Sequence, residues 1–181
     1  STFSERAKTG DPISNGDEVK VGERSFGAII YIDDRSVIKI RENTKFSFMD
    51  TRNSRTVELE YGTLLNDVKR KDKAKTYRIQ TPVSVASVKG TKFAAIVSQN
   101  GVDQFICKEG LFEVLNMISG ETVNVSEGQK AVSNSSGNLI QAPSSLKEYP
   151  RDPEIEDTID YEVEQEINQD KIPEKTLDNP E

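Results

Sequence analysis

The sequence predicts an all-β protein, a sandwich or solenoid-like roll of short, mostly antiparallel strands followed by an acidic C-terminal tail. Three observations carry this. Apolar residues alternate with polar ones at a period of two from about Asp17 to Ile140. Turn signals built on Gly, Asn and Asp interrupt that alternation every 8–12 residues or so. Before residue 144 no stretch has a helical period, so no helix beyond a turn or two is expected between residues 17 and 140.

Residues 1–16, with Gly10, Asp11, Pro12, Ser14, Asn15 and Gly16, read as an irregular lead-in. Val19 and Val21 then alternate. Phe26, Ala28, Ile30 and Ile32 alternate with Gly27, Ile29 and Tyr31, giving a strand that is apolar on both faces over its middle. Asp33-Asp34 turns the chain into Val37, Ile38 and Ile40; this pair reads as a solvated turn rather than a catalytic dyad. Asn43-Thr44 leads to Phe46 and Phe48. Val57, Leu59 and Tyr61 alternate with Thr56, Glu58 and Glu60, and Gly62 is expected to reverse the chain into Leu64 and Leu65.

The second half repeats the pattern. Tyr77 and Ile79 run into Thr81-Pro82, and Val83, Val85 and Val88 lead to Gly90-Thr91, with Phe93, Ala95 and Val97 beyond. A Gly inside a strand pattern marks a bend that a Cβ would obstruct, so Gly90 is expected at positive φ. Asn100-Gly101 is a hairpin signal because both residues accept positive φ. Glu109-Gly110, Ser119-Gly120 and Glu127-Gly128 punctuate the remaining β-runs. Gly62, Gly90, Thr91, Gly110 and Gly128 are therefore the expected structural turns.

Charge is distributed unevenly. The net charge of -7 hides a tail from Glu148 with 13 acidic and 3 basic residues, and a body with 18 acidic and 21 basic residues. The mean hydropathy of -0.63 and the apolar content of 34% are low largely because of that tail. Residues 143–181 contain Pro143, Pro150, Pro153, Pro173 and Pro180 and few large apolar side chains, as solvated segments do. Within them Ile155, Ile159, Val163 and Ile167 recur at four-residue spacing, one stripe of a short docking helix at 154–168. Both a solvated tail and a docked helix fit this pattern. Lys69, Arg70, Lys71, Lys73 and Lys75 form a basic run between two strands. It reads as a solvated hairpin loop, as a nucleic-acid or anionic-lipid patch, or as a loop that meets an acidic tail, its own or a neighbour's. No aromatic side chains interleave with it, so no nucleic-acid partner is expected.

Enzymatic chemistry finds little support. The chain has no histidine, which removes Ser-His-Asp and Cys-His arrangements and the usual zinc sets. The single Cys107 reads as a small buried hydrophobe. Asp152, Glu154, Glu156 and Asp157 lack the glycine and ligand order of a calcium loop. No metal and no cofactor is expected, and no apolar run approaches the roughly 18–20 residues of a membrane span.

Several segments in order resemble the FecR domain, a bacterial extracytoplasmic β-module. Gly16-Asp17 and the strand after it look like the family's opening, and Ser36-Val37-Ile38-Lys39-Ile40 and Asn43-Thr44-Lys45-Phe46 follow as its next strands. Leu59-Glu60-Tyr61-Gly62, Thr81-Pro82, Lys89-Gly90-Thr91-Lys92-Phe93, Lys108-Glu109-Gly110 and Glu127-Gly128-Gln129 fill its remaining landmarks up to about residue 140. The resemblance implies a β domain over 17–142, with 1–16 and 143–181 flanking it. It also implies export to the periplasm or surface of a bacterium. Well-known members handle a sigma factor through a cytoplasmic segment, cross the membrane by a helix and carry a further signalling domain. None of these three reads from the present sequence. The expectation is therefore a non-catalytic binding or scaffold module that assembles with another envelope protein, its oligomeric state open. The alternative is the extracytoplasmic sensor part of a FecR-type signal transducer.

Overall fold

The β-runs become thirteen strands in a computed structural model that describes residues 5–69 and 75–154. The chain opens with β1 (Glu18–Val21), β2 (Gly27–Ile30), β3 (Val37–Ile40) and β4 (Thr44–Asp50). The 14-residue β5 (Ser54–Asp67) comes next, followed by β6 (Thr76–Gln80), β7 (Ser84–Val88) and β8 (Lys92–Val97). β9 (Val102–Glu109), β10 (Leu111–Asn116), β11 (Thr122–Ser126), β12 (Gln129–Asn134) and β13 (Leu139–Pro143) complete the set. All belong to a compact unit, Ser1–Pro150; a second unit is Arg151–Glu181, of which residues 151–154 are described. The all-β expectation holds, with no helix among the described residues of 17–140.

The strands form two layers that share one member. The first sheet runs β1-β4-β5-β6-β7-β10-β11 and the second β2-β3-β5-β8-β9-β12-β13. All recorded pairs are antiparallel except β5 with β6. Residues Ser54–Tyr61 of β5 pair in the first sheet and Gly62–Asp67 in the second, so β5 passes from one layer to the other. At the opposite side the layers approach again: Asn116 Nδ2 donates to Ser133 Oγ at 2.8 Å, and Gln141 Nε2 to the Asn124 carbonyl at 2.7 Å. The result is a nearly closed barrel-like sandwich. Its core is filled from both inner faces by Phe46, Phe93, Phe105, Leu59, Leu64 and Ile79, each nearly or fully buried. Phe93 and Phe112 pack at 5.0 Å between ring centroids, joining β8 to β10 across the layers.

Gly62 does not reverse the chain, as its sequence context suggested; it bends a single continuous strand. It has φ +106°, and a Cβ there would lie 2.3 Å from Thr44 Oγ1 and 2.5 Å from Thr44 Cα. Thr44 is fully buried, and its Oγ1 accepts the Thr63 N–H at 3.0 Å. The neighbouring ribbon bends at the same level, through Arg41–Asn43 between β3 and β4, where Asn43 has φ +53° and the Arg41 N–H reaches the Thr63 carbonyl at 3.1 Å. A tight turn and a strand bend look alike in sequence, because both need the same backbone freedom.

Gly62→Ala should destabilise the protein by ~3 kcal/mol or more, since it combines positive-φ strain with a backbone clash. Urea unfolding measures this, and a loss below ~1 kcal/mol would show that the corner relaxes without glycine.

Candidate functional site

A buried charged cluster gathers where the β2–β3 hairpin meets the start of β5. Asp33 and Asp34 sit in that hairpin, and Asp34 Oδ1 accepts the Ser36 N–H at 2.7 Å, which fixes the turn. Arg55, second residue of β5, donates from Nη1 to Asp34 Oδ2 at 2.6 Å and from Nη2 to Asp33 Oδ2. The Asp34 and Arg55 side chains are 11% and 8% exposed, the Asp33 side chain 60%. The reading of Asp33-Asp34 as a solvated turn pair therefore holds for Asp33 and fails for Asp34. The Arg55 guanidinium also lies 4.2 Å from the centre of the Tyr31 ring. Tyr31 in turn packs edge-on against Phe48 and Tyr77, at 6.3 and 6.4 Å between centroids.

Tyr77 ties both ends of β5 together. It pairs with Arg55 in the β5–β6 ladder, and its hydroxyl donates to Asn66 Oδ1 at 2.9 Å. Burial raises the Tyr77 hydroxyl well above its usual range, and the nearby Tyr31 adds to this. Tyr31 is likewise raised by burial, with Asp50 adding to the effect and Arg55 opposing it. Burial also lifts Asp50, against the pull of Arg55. For Asp33 the balance reverses: burial pushes upward, but the Arg55 charge and hydrogen bond leave it below the usual range. Tyr31 Oη, Asp50 Oδ1 and Arg55 Nε have no hydrogen-bond partner among the described residues.

This cluster anchors the segment that the sequence marks as basic. The Lys69 N–H donates to Ser36 Oγ at 2.9 Å, and Val68 and Thr91 exchange backbone bonds at 3.0 and 3.1 Å. On the return side the Thr76 N–H reaches the Asn53 carbonyl at 3.0 Å. Lys69 Nζ pairs with Asp67 at 2.7 Å. Arg70, Lys71 and Lys73 lie outside the described residues, as do Ile155, Ile159, Val163 and Ile167 and all of the helix expected over 154–168 beyond Glu154.

The remaining sequence-marked residues stand where the chain changes layer. Gly90 (φ +76°) and Thr91 carry it from β7 to β8, Gly110 (φ +96°) from β9 to β10, and Gly128 (φ +75°) from β11 to β12. Thr91 Oγ1 donates to the Leu111 carbonyl at 3.1 Å, coupling two of these crossings.

Among the described residues, grooves on the surface include one beside β4 and β5 and one beside β9. The first, of about 330 Å³, is lined by Glu18, Phe46, Glu58, Leu59 and Glu60 among others. Lys45 Nζ spans Glu60 at 2.6 Å and Glu18 at 3.4 Å beside it. The other, of about 230 Å³, is lined by Ile106, Cys107, Glu127, Leu146 and Tyr149 among others. Burial, with a contribution from Glu127, pushes the Cys107 thiol up to about 11, so at neutral pH it is a thiol and a poor nucleophile. Among the described residues no group of three carboxylate or thiol side chains is placed to hold a metal ion. What the surface offers is shaped contact area with fixed charges.

The family model described as FecR protein matches residues 17–111. A comparison with curated proteins gives no match. Among solved structures, two crystal structures of a candidate anti-sigma factor from Parabacteroides distasonis, at 1.65 and 2.50 Å, share the fold with TM-scores of 0.64 and 0.63. Each is 18% identical to the chain and superimposes on 72% of it. The chain spans 61% of the length of that protein.

Asp34→Ala should cost ~3–5 kcal/mol, because it leaves the buried Arg55 without its main counter-charge. Asp33→Ala should cost under ~1 kcal/mol, as an exposed partner does. Urea unfolding of the two variants decides, and equal losses would show that Arg55 does not depend on Asp34.

Proposed function

The chain belongs to the FecR family, and on that premise we propose that it is a non-catalytic, extracytoplasmic protein-binding module with a regulatory role. It binds a protein of the bacterial cell envelope and acts through that contact in the periplasm, without cofactor or nucleic acid. The observation that carries the reading is the family match over 17–111, which runs through both sheets and the β5 corner. The fold shared with a candidate anti-sigma factor supports a regulatory role over a purely architectural one. The inert Cys107 and the anchored, non-catalytic arrangement around Arg55 support action by binding. In this reading the basic run Lys69, Arg70, Lys71 and Lys73 and the aliphatic stripe Ile155, Ile159, Val163 and Ile167 are protein contacts. Exposed charge pairs are individually weak and are screened within about 8 Å at physiological salt, so the aliphatic stripe supplies most of the affinity.

A scaffold role in an envelope complex or filament sheath is the second reading. The exposed apolar residues Ile30 and Ile32 favour it, since regularly assembled proteins carry such surface.

Deleting the gene from its native host separates the two. The regulatory reading expects transcription of a limited set of genes to change and to return when the full chain is resupplied. Replacing the four aliphatics with Ser should block that rescue, while Lys69→Ala should weaken it only slightly. Unchanged transcription, together with loss of an envelope assembly, would overturn the regulatory reading in favour of the scaffold.

A further inference from the structure

On the side away from β5 the two layers are closed by a ring of four buried polar side chains. Ser84 of β7 lies opposite Asn116 of β10 in the first sheet, and Asp103 of β9 lies opposite Ser133 of β12 in the second. Two hydrogen bonds cross between the layers. Asn116 Nδ2 donates to Ser133 Oγ at 2.8 Å, and Ser84 Oγ donates to Asp103 Oδ2 at 2.7 Å. Thr81 Oγ1, from the turn before β7, donates to the same carboxyl oxygen. All four ring members are 0% exposed. Asp103 Oδ1 is buried as well and has no hydrogen-bond partner among the described residues. Three neutral side chains and one carboxyl thus share a site closed to solvent.

What the carboxyl lacks is a counter-charge. In its own sheet Asp103 stands between Val97 of β8 and Ser133 of β12. From the other sheet it meets Thr81 and Ser84, with Asn116 completing the ring. None of these side chains titrates or carries a charge. Burial raises the Asp103 carboxyl above its usual range, opposed only by the two hydroxyl bonds. Asp34, the other buried aspartate among the described residues, has Arg55 beside it. An unpaired charge in such surroundings is costly, whereas an unpaired neutral O–H is a much smaller burden. We propose that the ring is a proton-binding site: Asp103 takes up a proton on Oδ1 as the surroundings turn acid, and the seam between the two layers is firmer for it. Oδ2 remains the acceptor for Thr81 and Ser84, because a neutral carboxyl still accepts on its carbonyl oxygen. A carboxyl raised in this way binds its proton more tightly in the folded chain than in the unfolded one. Its contribution to stability is therefore greatest in acid and declines as pH rises through the folded titration. Asp33, held below the usual range by Arg55, has the opposite sign, and its contribution is lost in acid. A module outside the cytoplasm meets the acidity of its surroundings directly, and this site makes it more stable there. That use rests on the location proposed above; the proton site itself does not.

Carboxyl-carbon NMR of the full chain, following Asp103 through an acid titration, tests the proposal directly. The expected midpoint lies above that of an ordinary aspartate. Urea unfolding of wild type and Asp103→Asn gives an independent readout, since the amide keeps a carbonyl acceptor for both hydroxyls and never ionises. Between about pH 4 and about pH 7 the wild-type urea midpoint should fall steadily relative to that of the variant. An Asp103 midpoint at or below the ordinary aspartate value, or a gap between the two urea midpoints that does not change with pH, would overturn the proton site. So would a wild type stabilised at neutral pH by sodium but not by tetramethylammonium at equal ionic strength, because a bound metal cation would then supply the counter-charge. Should the variant fail to fold, the carbon titration of the wild type decides alone.

Discussion

The contact between Gly62 and Thr44 is what allows the two β-layers to be one body rather than two stacked sheets. β5 belongs to both layers, and it can do so only if its backbone bends while touching the buried Thr44, with no room for a side chain at the bend. The bend has a second consequence. It curls β5 so that Arg55 near one end and Asn66 near the other both reach Tyr77. The polar cluster therefore follows from the corner. With a straight β5, residues 55 and 66 would be separated by roughly 36 Å at the usual strand rise, and one tyrosine could not serve both.

The cluster itself is costly to assemble, since burying a guanidinium and a carboxylate removes both from water. Such a pair contributes little net stability over an apolar replacement, yet losing one partner is severe. Its value here is positional. Arg55 holds the β2–β3 hairpin through Asp33 and Asp34, the hairpin's Ser36 receives Lys69, and Thr91 receives Val68. A chain of short-range bonds thus fixes both the edge strand β2 and the start of the basic segment on one framework. Rigid presentation of a surface strand and of the point where the charged segment begins suits a module that works by contact. It reduces the ordering cost that association would otherwise carry.

Much of the architecture was legible because β-periodicity and turn residues are local signals. The alternating runs, the Asn100-Gly101 hairpin and the positive φ at Gly90 all follow from residues close in sequence. Gly62 was misread because a bend inside a strand and a reversal between strands draw on the same residue, and only the partner Thr44, 18 residues away, distinguishes them. Asp34 was misread for a related reason. Its neighbours identify a turn, while its burial depends on Arg55, 21 residues later, for which no local pattern exists. The exposed row on β2 was half legible: the strand reads as apolar on both faces, but which face is free depends on the sheet order.

The central claim is that the β5 corner makes both sheets a single cooperative unit. Native-state hydrogen exchange under low denaturant tests it most directly, because it resolves whether parts of a fold open separately. The account predicts that core amides of β4, β6 and β7 in the first sheet and of β3, β8 and β9 in the second exchange with one common opening free energy. Gly62→Ala should lower that energy for both sets together. Two sets with different opening free energies, only one of which responds to Gly62→Ala, would contradict it.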